Sequence, residues 1–171
     1  GITGLVYRSV RGVTKGVGSL LDVALAQLAP LLPGQPFSAR REALLSALNG
    51  VLGDYLIAGN NPLAISMRLR QNGQPLELSR AALASRFADS NGRLLVLVHG
   101  LCMNDLQWLR EGHDHGAGLA AELGYSALYL NYNSGRHISS NGQEFAATLE
   151  QLIEAWPGPV TELLIVGHSM G

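Results

Sequence analysis

The sequence predicts a protein of the α/β class with a doubly wound, mostly parallel sheet. Residues 94–98 form an apolar run of leucines and valines, and such runs on both faces are typical of a buried central strand. Shorter apolar runs follow at 127–130 and 163–166, with helix-like stretches between them. Strands that alternate with helices are joined by right-handed crossovers, which places helices on both faces of the sheet.

The chain begins with a stretch that has the pattern of a long amphipathic helix, over about residues 5–32. Its apolar residues recur every three or four positions: Val6, Val10, Val13, Val17, Leu20, Ala24, Leu28 and Leu31. A second, short helix is expected after Ser38 as its N-cap, with Leu44, Leu45 and Leu48 on its inner face and an end at Gly50 and Gly53. We interpret residues 1–50 as an N-terminal helical segment, which is a lid, a lipid-surface helix or a helix packed on its own domain.

Residues 51–171 are predicted to form the second part of the chain, which opens with a hairpin. Leu63, Ile65, Met67 and Leu69 alternate with more polar residues, as in a strand with one buried face. Asn72 and Gly73 favour the positive φ angles of a two-residue turn. Further along, the pattern predicts helices over about 81–87, up to Gly124, and over about 141–156.

The last five residues carry the most specific signal for function. Gly167-His168-Ser169-Met170-Gly171 follows the strand at 163–166 and matches the pattern G-x-S-x-G. In that pattern a strand turns sharply into a helix, and the serine at the turn is held clear of the sheet. Ser169 is therefore the candidate catalytic nucleophile. The Met170 N–H is a candidate donor to the oxyanion that forms when the serine attacks a carbonyl carbon.

A second candidate element follows the central strand. His99, Gly100 and Leu101 stand where a loop could supply the other oxyanion donor, through the Leu101 or Cys102 amide. His99 is interpreted as a buried histidine bonded to nearby backbone. Cys102 is interpreted as a small, semi-buried filler, because a nucleophilic cysteine would need an elbow and nothing at its position supplies one. His168 lies next to the nucleophile but is expected to project away from it.

The two motifs, in this order, resemble the α/β-hydrolase superfamily over about residues 54–171. The segments VLVHGLCMNDLQW and LNYNSGRHISSNGQEFAATLEQLIEAWP further resemble bacterial lipase-like and esterase-like members, near the deacylase-related (PGAP-like) hydrolases. This resemblance implies that the strands ending at His99 and Ser169 are neighbours. It also implies a serine hydrolase that cleaves carboxylic esters, including lipid esters, through an acyl-enzyme on Ser169.

In this family the acid and the base follow the serine. We therefore expect the chain to be the N-terminal half of the hydrolase domain, truncated at the nucleophile elbow and inactive without the rest. Two alternatives stay open. One is an inactive hydrolase fold used for binding or membrane association, and the other is an acyltransferase with the same nucleophile.

The composition gives no reason to expect a nucleic-acid partner, because the net charge is −1. No cofactor is expected. His113, Asp114 and His115 are metal-ligand types, but no third ligand accompanies them at suitable spacing, so a solvated loop or the start of a helix is the preferred interpretation and no metal is expected. The protein is expected in the cytoplasm or at a membrane surface, contacted through residues 5–32. The first residue is Gly1, which leaves a removed signal peptide open.

Overall fold

The structure is a computed structural model and describes residues 39–171. The amphipathic helix predicted over residues 5–32, and the N-cap predicted at Ser38, lie outside the described residues. Within residues 39–171, no helix has the length and apolarity that crossing a bilayer would require.

The first described helix, α1 (Ala39–Ala58), is kinked at Leu52, where two helical segments meet. The break predicted at Gly50 and Gly53 is therefore a kink between the two glycines and not the end of the helix. The two glycines are points of close contact. A Cβ on Gly50 would lie 2.3 Å from the Cys102 sulfur, and one on Gly53 would lie 2.2 Å from Asn133 Oδ1. The glycines that predicted the end of the helix therefore allow it to pack closely on two loops.

The inner face of α1 differs in part from the prediction. Leu45 is buried as expected, but Leu44 is 53% exposed and points away from the core. Polar groups take part in the buried face instead, and Asn49 is the most informative of them. Its side-chain amide donates to the Leu63 carbonyl (2.8 Å) and its Oδ1 accepts from the Ile65 N–H (2.8 Å). These bonds tie the segment after α1 to the helix.

The hairpin consists of β1 (Arg68–Gln71) and β2 (Gln74–Pro75), which pair antiparallel. Asn72 and Gly73 both have positive φ angles, 53° and 72°, as predicted for the turn. The strand predicted from Leu63 begins only at Arg68, because the backbone of residues 63–65 is bonded by the Asn49 side chain and not by a neighbouring strand.

In the remainder of the chain, helices separate the strands of the main sheet as predicted, and a small hairpin that was not predicted follows the central strand. In chain order they are α2 (Arg80–Arg86), β3 (Arg93–Val98), a 3-10 helix (Asp105–Trp108), β4 (Leu109–Arg110), β5 (His113–Asp114), α3 (His115–Leu123), β6 (Ser126–Asn131), α4 (Ile138–Ala155) and β7 (Glu162–Gly167). The main sheet has the strand order β2-β1-β6-β3-β7. Strands β6, β3 and β7 are parallel, whereas β1 is antiparallel to both of its neighbours. Strands β4 and β5 form a separate small hairpin.

The central strand β3 is buried on both faces, as its sequence predicts. Leu94, Val96 and Val98 pack with α2 and with the end of α4 on one face of the sheet. Leu95 and Leu97 pack with Ala120 of α3 on the other face. The protein is therefore of the α/β class, with a mixed sheet between helices on both faces.

A buried ion-pair cluster joins α1, β1 and the 3-10 helix. The Arg70 guanidinium contacts Glu42 (2.8 Å) and Asp105 (3.1 Å), and all three side chains are nearly inaccessible to solvent. Burial raises the pKa of Asp105, and the positive charge of Arg70 opposes that shift. Within the described residues, Asp105 is paired with this guanidinium, whereas Glu42 is also paired with Arg41 (3.3 Å).

Candidate active site

Ser169 occupies the apex of a tight turn at the end of β7. Its φ angle is 59°, in the left-handed region that residues with a side chain rarely adopt. The His168 N–H donates to the Val98 carbonyl (2.9 Å), and the Gly171 N–H donates to the His168 carbonyl (3.0 Å). The first bond fixes the turn to the central strand and the second closes the turn around the serine.

The two glycines of the motif each occupy a place where a side chain would collide. A Cβ on Gly167 would lie 2.3 Å from the Gly171 carbonyl oxygen. A Cβ on Gly171 would lie 2.4 Å from the Val98 carbonyl oxygen. Both clashes are with backbone atoms, so they cannot be relieved by a change of rotamer. The local geometry therefore requires glycine two residues before and two residues after the serine.

The loop after β3 lies directly beside this turn. Strands β3 and β7 are parallel neighbours, with Val98 opposite Gly167, as the resemblance implied. A Cβ on Gly100 would lie 3.0 Å from Ser169 Cβ and 3.0 Å from the His168 carbonyl oxygen. Gly100 thus allows the serine and the 99–102 loop to approach each other.

Two backbone amides near Ser169 make no hydrogen bond within the described part of the chain, those of Leu101 and Met170. The Cys102 amide, the other candidate donor of this loop, already donates to Ser134 Oγ (3.0 Å). Of the three candidate oxyanion donors, the Leu101 and Met170 amides therefore have the hydrogen free for a ligand. Both side chains are substantially exposed.

His99 is fully buried behind the same loop. Its Nδ1 lies 2.9 Å from the Gly100 carbonyl oxygen, and its Nε2 accepts from the Tyr132 N–H (3.4 Å). The ring also stacks on Tyr132, with 4.4 Å between ring centroids. Burial lowers the pKa of His99 to about 4, so the ring is neutral at neutral pH. This matches the interpretation of His99 as a buried histidine bonded to backbone.

Within residues 39–171, no histidine hydrogen-bonds to Ser169 Oγ. The His168 ring is exposed and faces the edge of Trp108, with 6.3 Å between ring centroids. His137 Nδ1 lies 2.9 Å from Ser139 Oγ, and the His113 and His115 rings contact each other. The serine hydroxyl therefore has no imidazole partner among the described residues.

Two cavities flank the Met170 side chain. One, of about 310 Å³, lies on the α4 face of the sheet, and its lining includes Val98, Leu130, Phe145, Ile165, Met170 and Gly171. The other, of about 360 Å³, lies between α1 and the loops, and its lining includes Gly50, Leu101, Ser134, Arg136, His137 and Met170. The first is lined largely by apolar side chains, whereas the second has ionisable groups at its border.

A comparison of this chain with protein-family models, with curated proteins and with solved structures found no match. The interpretation of the site therefore rests on the residues and the geometry described above.

The candidate metal ligands have structural partners instead. Asp114 Oδ1 caps α3 by accepting from the Ala117 N–H (2.9 Å), and it also accepts from the Tyr129 hydroxyl (2.5 Å). Within residues 39–171, no group of three or more suitable side chains is arranged to hold a metal ion.

The loop that follows β6 supports the site through three residues that the sequence motifs do not single out, Tyr132, Asn133 and Ser134. Ser134 supports the Cys102 amide, and Tyr132 and Asn133 contact His99 and Gly53. A usable signal was present, since a cluster of polar residues directly after a parallel strand is placed at the sheet edge where α/β proteins bind ligands.

Proposed function

We propose that the protein is a serine hydrolase of the α/β-hydrolase type that cleaves carboxylic esters, with Ser169 as its nucleophile. The observation that carries this proposal is the left-handed backbone of Ser169 at the end of a parallel strand, enclosed by Gly167 and Gly171. A non-glycine residue in that conformation is strained, and such strain is concentrated at functional sites. The neighbouring central strand supplies the second loop that ester hydrolysis requires.

The proposed reaction begins when Ser169 Oγ attacks the ester carbonyl carbon and its proton passes to a general base. The carbonyl oxygen becomes an oxyanion that accepts hydrogen bonds from the Leu101 and Met170 amides. Collapse of this intermediate releases the alcohol, which takes up the proton, and leaves an acyl group on Ser169. Attack by water then releases the carboxylic acid. The proposal places the base outside residues 39–171, in agreement with the motif order Ser, acid, His.

The test is labelling of the full-length protein with a fluorophosphonate, which reacts with activated serines. Wild type should be labelled, Ser169→Ala should not, and Ser85→Ala should be labelled like wild type. Ser85 is a matched control because it is an exposed helical serine whose hydroxyl donates to the Ala82 carbonyl. Equal labelling of wild type and Ser169→Ala would reject Ser169 as the nucleophile.

Hydrolysis of p-nitrophenyl esters in the same three proteins tests the reaction class. Release of p-nitrophenol should depend on Ser169. Adding an alcohol as a competing acceptor separates hydrolysis from acyl transfer, because a transferase would form the new ester in preference to the acid. A protein that neither labels nor turns over would favour the alternative of an inactive binding protein.

A further inference from the structure

We propose that His99 is a positioning residue that aims the Leu101 N–H at the oxyanion. This inference rests on the proposed function. It concerns the peptide unit between Gly100 and Leu101, whose carbonyl oxygen belongs to Gly100 and whose N–H belongs to Leu101. A trans peptide is planar, and its C=O and N–H point in opposite directions. A group that holds the Gly100 carbonyl therefore also fixes the direction of the Leu101 N–H. Residues 39–171 contain no cis peptide bond.

Two donors hold the Gly100 carbonyl. The Met103 N–H donates to it (3.3 Å), and His99 Nδ1 lies 2.9 Å away. The tautomer of His99 follows from its other nitrogen. Because Nε2 accepts from the Tyr132 N–H, the ring proton is on Nδ1, and Nδ1 is the donor to Gly100. The carbonyl is thus held toward the buried ring, and the Leu101 N–H is turned away from the interior.

The ring is itself fixed from several directions. It stacks on Tyr132, and the Tyr132 hydroxyl donates to the His99 carbonyl (2.8 Å). The next peptide unit is fixed as well, because the Cys102 N–H donates to Ser134 Oγ (3.0 Å). Leu101 therefore lies between two peptide planes, each held by a side-chain hydrogen bond, from His99 to one and from Ser134 to the other. Preorganised donors of this kind stabilise an oxyanion without reorganising during the reaction.

Two substitutions separate the hydrogen bond to Gly100 from the packing of the ring. The side-chain nitrogen of asparagine can take the place of Nδ1, so His99→Asn keeps a donor for the Gly100 carbonyl. Glutamine reaches the place of Nε2, so His99→Gln keeps an acceptor for the Tyr132 N–H but loses the donor to Gly100. Both remove the stacking on Tyr132, so a role in packing alone predicts equal effects.

The experiment compares kcat and KM for p-nitrophenyl acetate in the full-length wild type, His99→Asn and His99→Gln. We expect His99→Gln to lose on the order of 100-fold in kcat, as for loss of one oxyanion donor, with little change in KM. His99→Asn should stay within about tenfold of wild type. Equal kcat values in the two variants, or a loss that appears in KM, would overturn the assignment.

Ser134→Ala keeps the inference testable if neither His99 variant folds. This substitution removes the acceptor of the Cys102 N–H, so we expect kcat to fall while KM is unchanged. An unchanged kcat would show that holding this peptide in place does not contribute to catalysis. Failure of the proposed function is a separate result. In that case wild type itself shows no Ser169-dependent hydrolysis, and the positioning role is overturned with it. An active wild type with equal His99 variants overturns the positioning role alone.

Discussion

Acidification is expected to destabilise the protein through His99. Burial lowers the pKa of this residue from 6.5 to about 4. The hydrogen bond to the Gly100 carbonyl opposes this shift, and the positive charge of Arg70 adds a smaller lowering effect. In the unfolded chain the imidazole returns to its ordinary pKa. Between pH 6.5 and pH 4 the unfolded state therefore binds a proton that the folded state does not.

The sign and the size of the effect follow from this difference. Stability rises with pH wherever the unfolded state binds more protons, so the contribution of His99 is complete above pH 6.5 and is lost as the pH falls toward 4. Each pKa unit corresponds to about 1.4 kcal/mol. Going from pH 7 to pH 5 should lower the free energy of unfolding by about 2 kcal/mol through this one residue.

Urea unfolding at pH 7 and pH 5 measures this quantity in wild type and in His99→Asn, which has no imidazole at this position. Wild type should lose about 2 kcal/mol more than the variant on acidification. Asp105 and Glu162 also have shifted pKa values, but they are present in both proteins and cancel in the comparison. The same pH dependence in wild type and His99→Asn would refute the reasoning.

Three further predictions concern the glycines and the buried charges. Gly171→Ala should abolish fluorophosphonate labelling and lower the melting temperature, since its Cβ would lie 2.4 Å from a backbone carbonyl oxygen; retained labelling would contradict the geometry of the turn. Gly142→Ala on α4 meets nothing within 4 Å and should stabilise the protein by about 0.5–1 kcal/mol in urea unfolding. Arg70→Met should destabilise it by about 3–5 kcal/mol at pH 7, because Asp105 then remains buried without its counter-charge and Glu42 keeps only the pair with Arg41. A loss below about 1 kcal/mol would show that the two carboxylates are compensated elsewhere.

The sequence predicts the central strand of the parallel part well, because this strand is buried on both faces. Strand β3 is apolar on both faces, and its predicted position, 94–98, differs by one residue from the observed Arg93–Val98. The hairpin turn at Asn72 and Gly73 follows from residues that tolerate positive φ. In both cases one local preference agrees with the tertiary environment.

The predictions fail where a group from a distant part of the chain makes contacts with a segment that the local pattern does not indicate. Leu63 and Ile65 alternate like a strand, but the Asn49 side chain takes their backbone hydrogen bonds. Gly50 and Gly53 predict a helix end, but α1 is only kinked between them, at Leu52, and Gly50 allows it to approach Cys102. Contacts between residues so far apart in the chain cannot be read from either segment alone.

The candidate site could be predicted only in part, because some of its contacts also join distant segments of the chain. Ser169 and the Met170 amide belong to one short motif, so their arrangement is encoded locally. Sequence reasoning could not choose between the Leu101 and Cys102 amides, because the choice depends on Ser134, which comes from another loop. The importance of His99 likewise depends on Tyr132, more than thirty residues away.

The contact of α1 with the site loops has a consequence for how this protein can change during evolution. At Gly50 and Gly53 the helix meets Cys102 and Asn133 where it has no side chain of its own. Its outward residues, such as Val51, make no part of that contact and are exposed. Substitutions on the outer face can therefore accumulate under weak selection, or be recruited to new contacts, while the two glycines remain under strong purifying selection. Natural homologues should therefore vary at the exposed positions of α1 and keep glycine at positions 50 and 53.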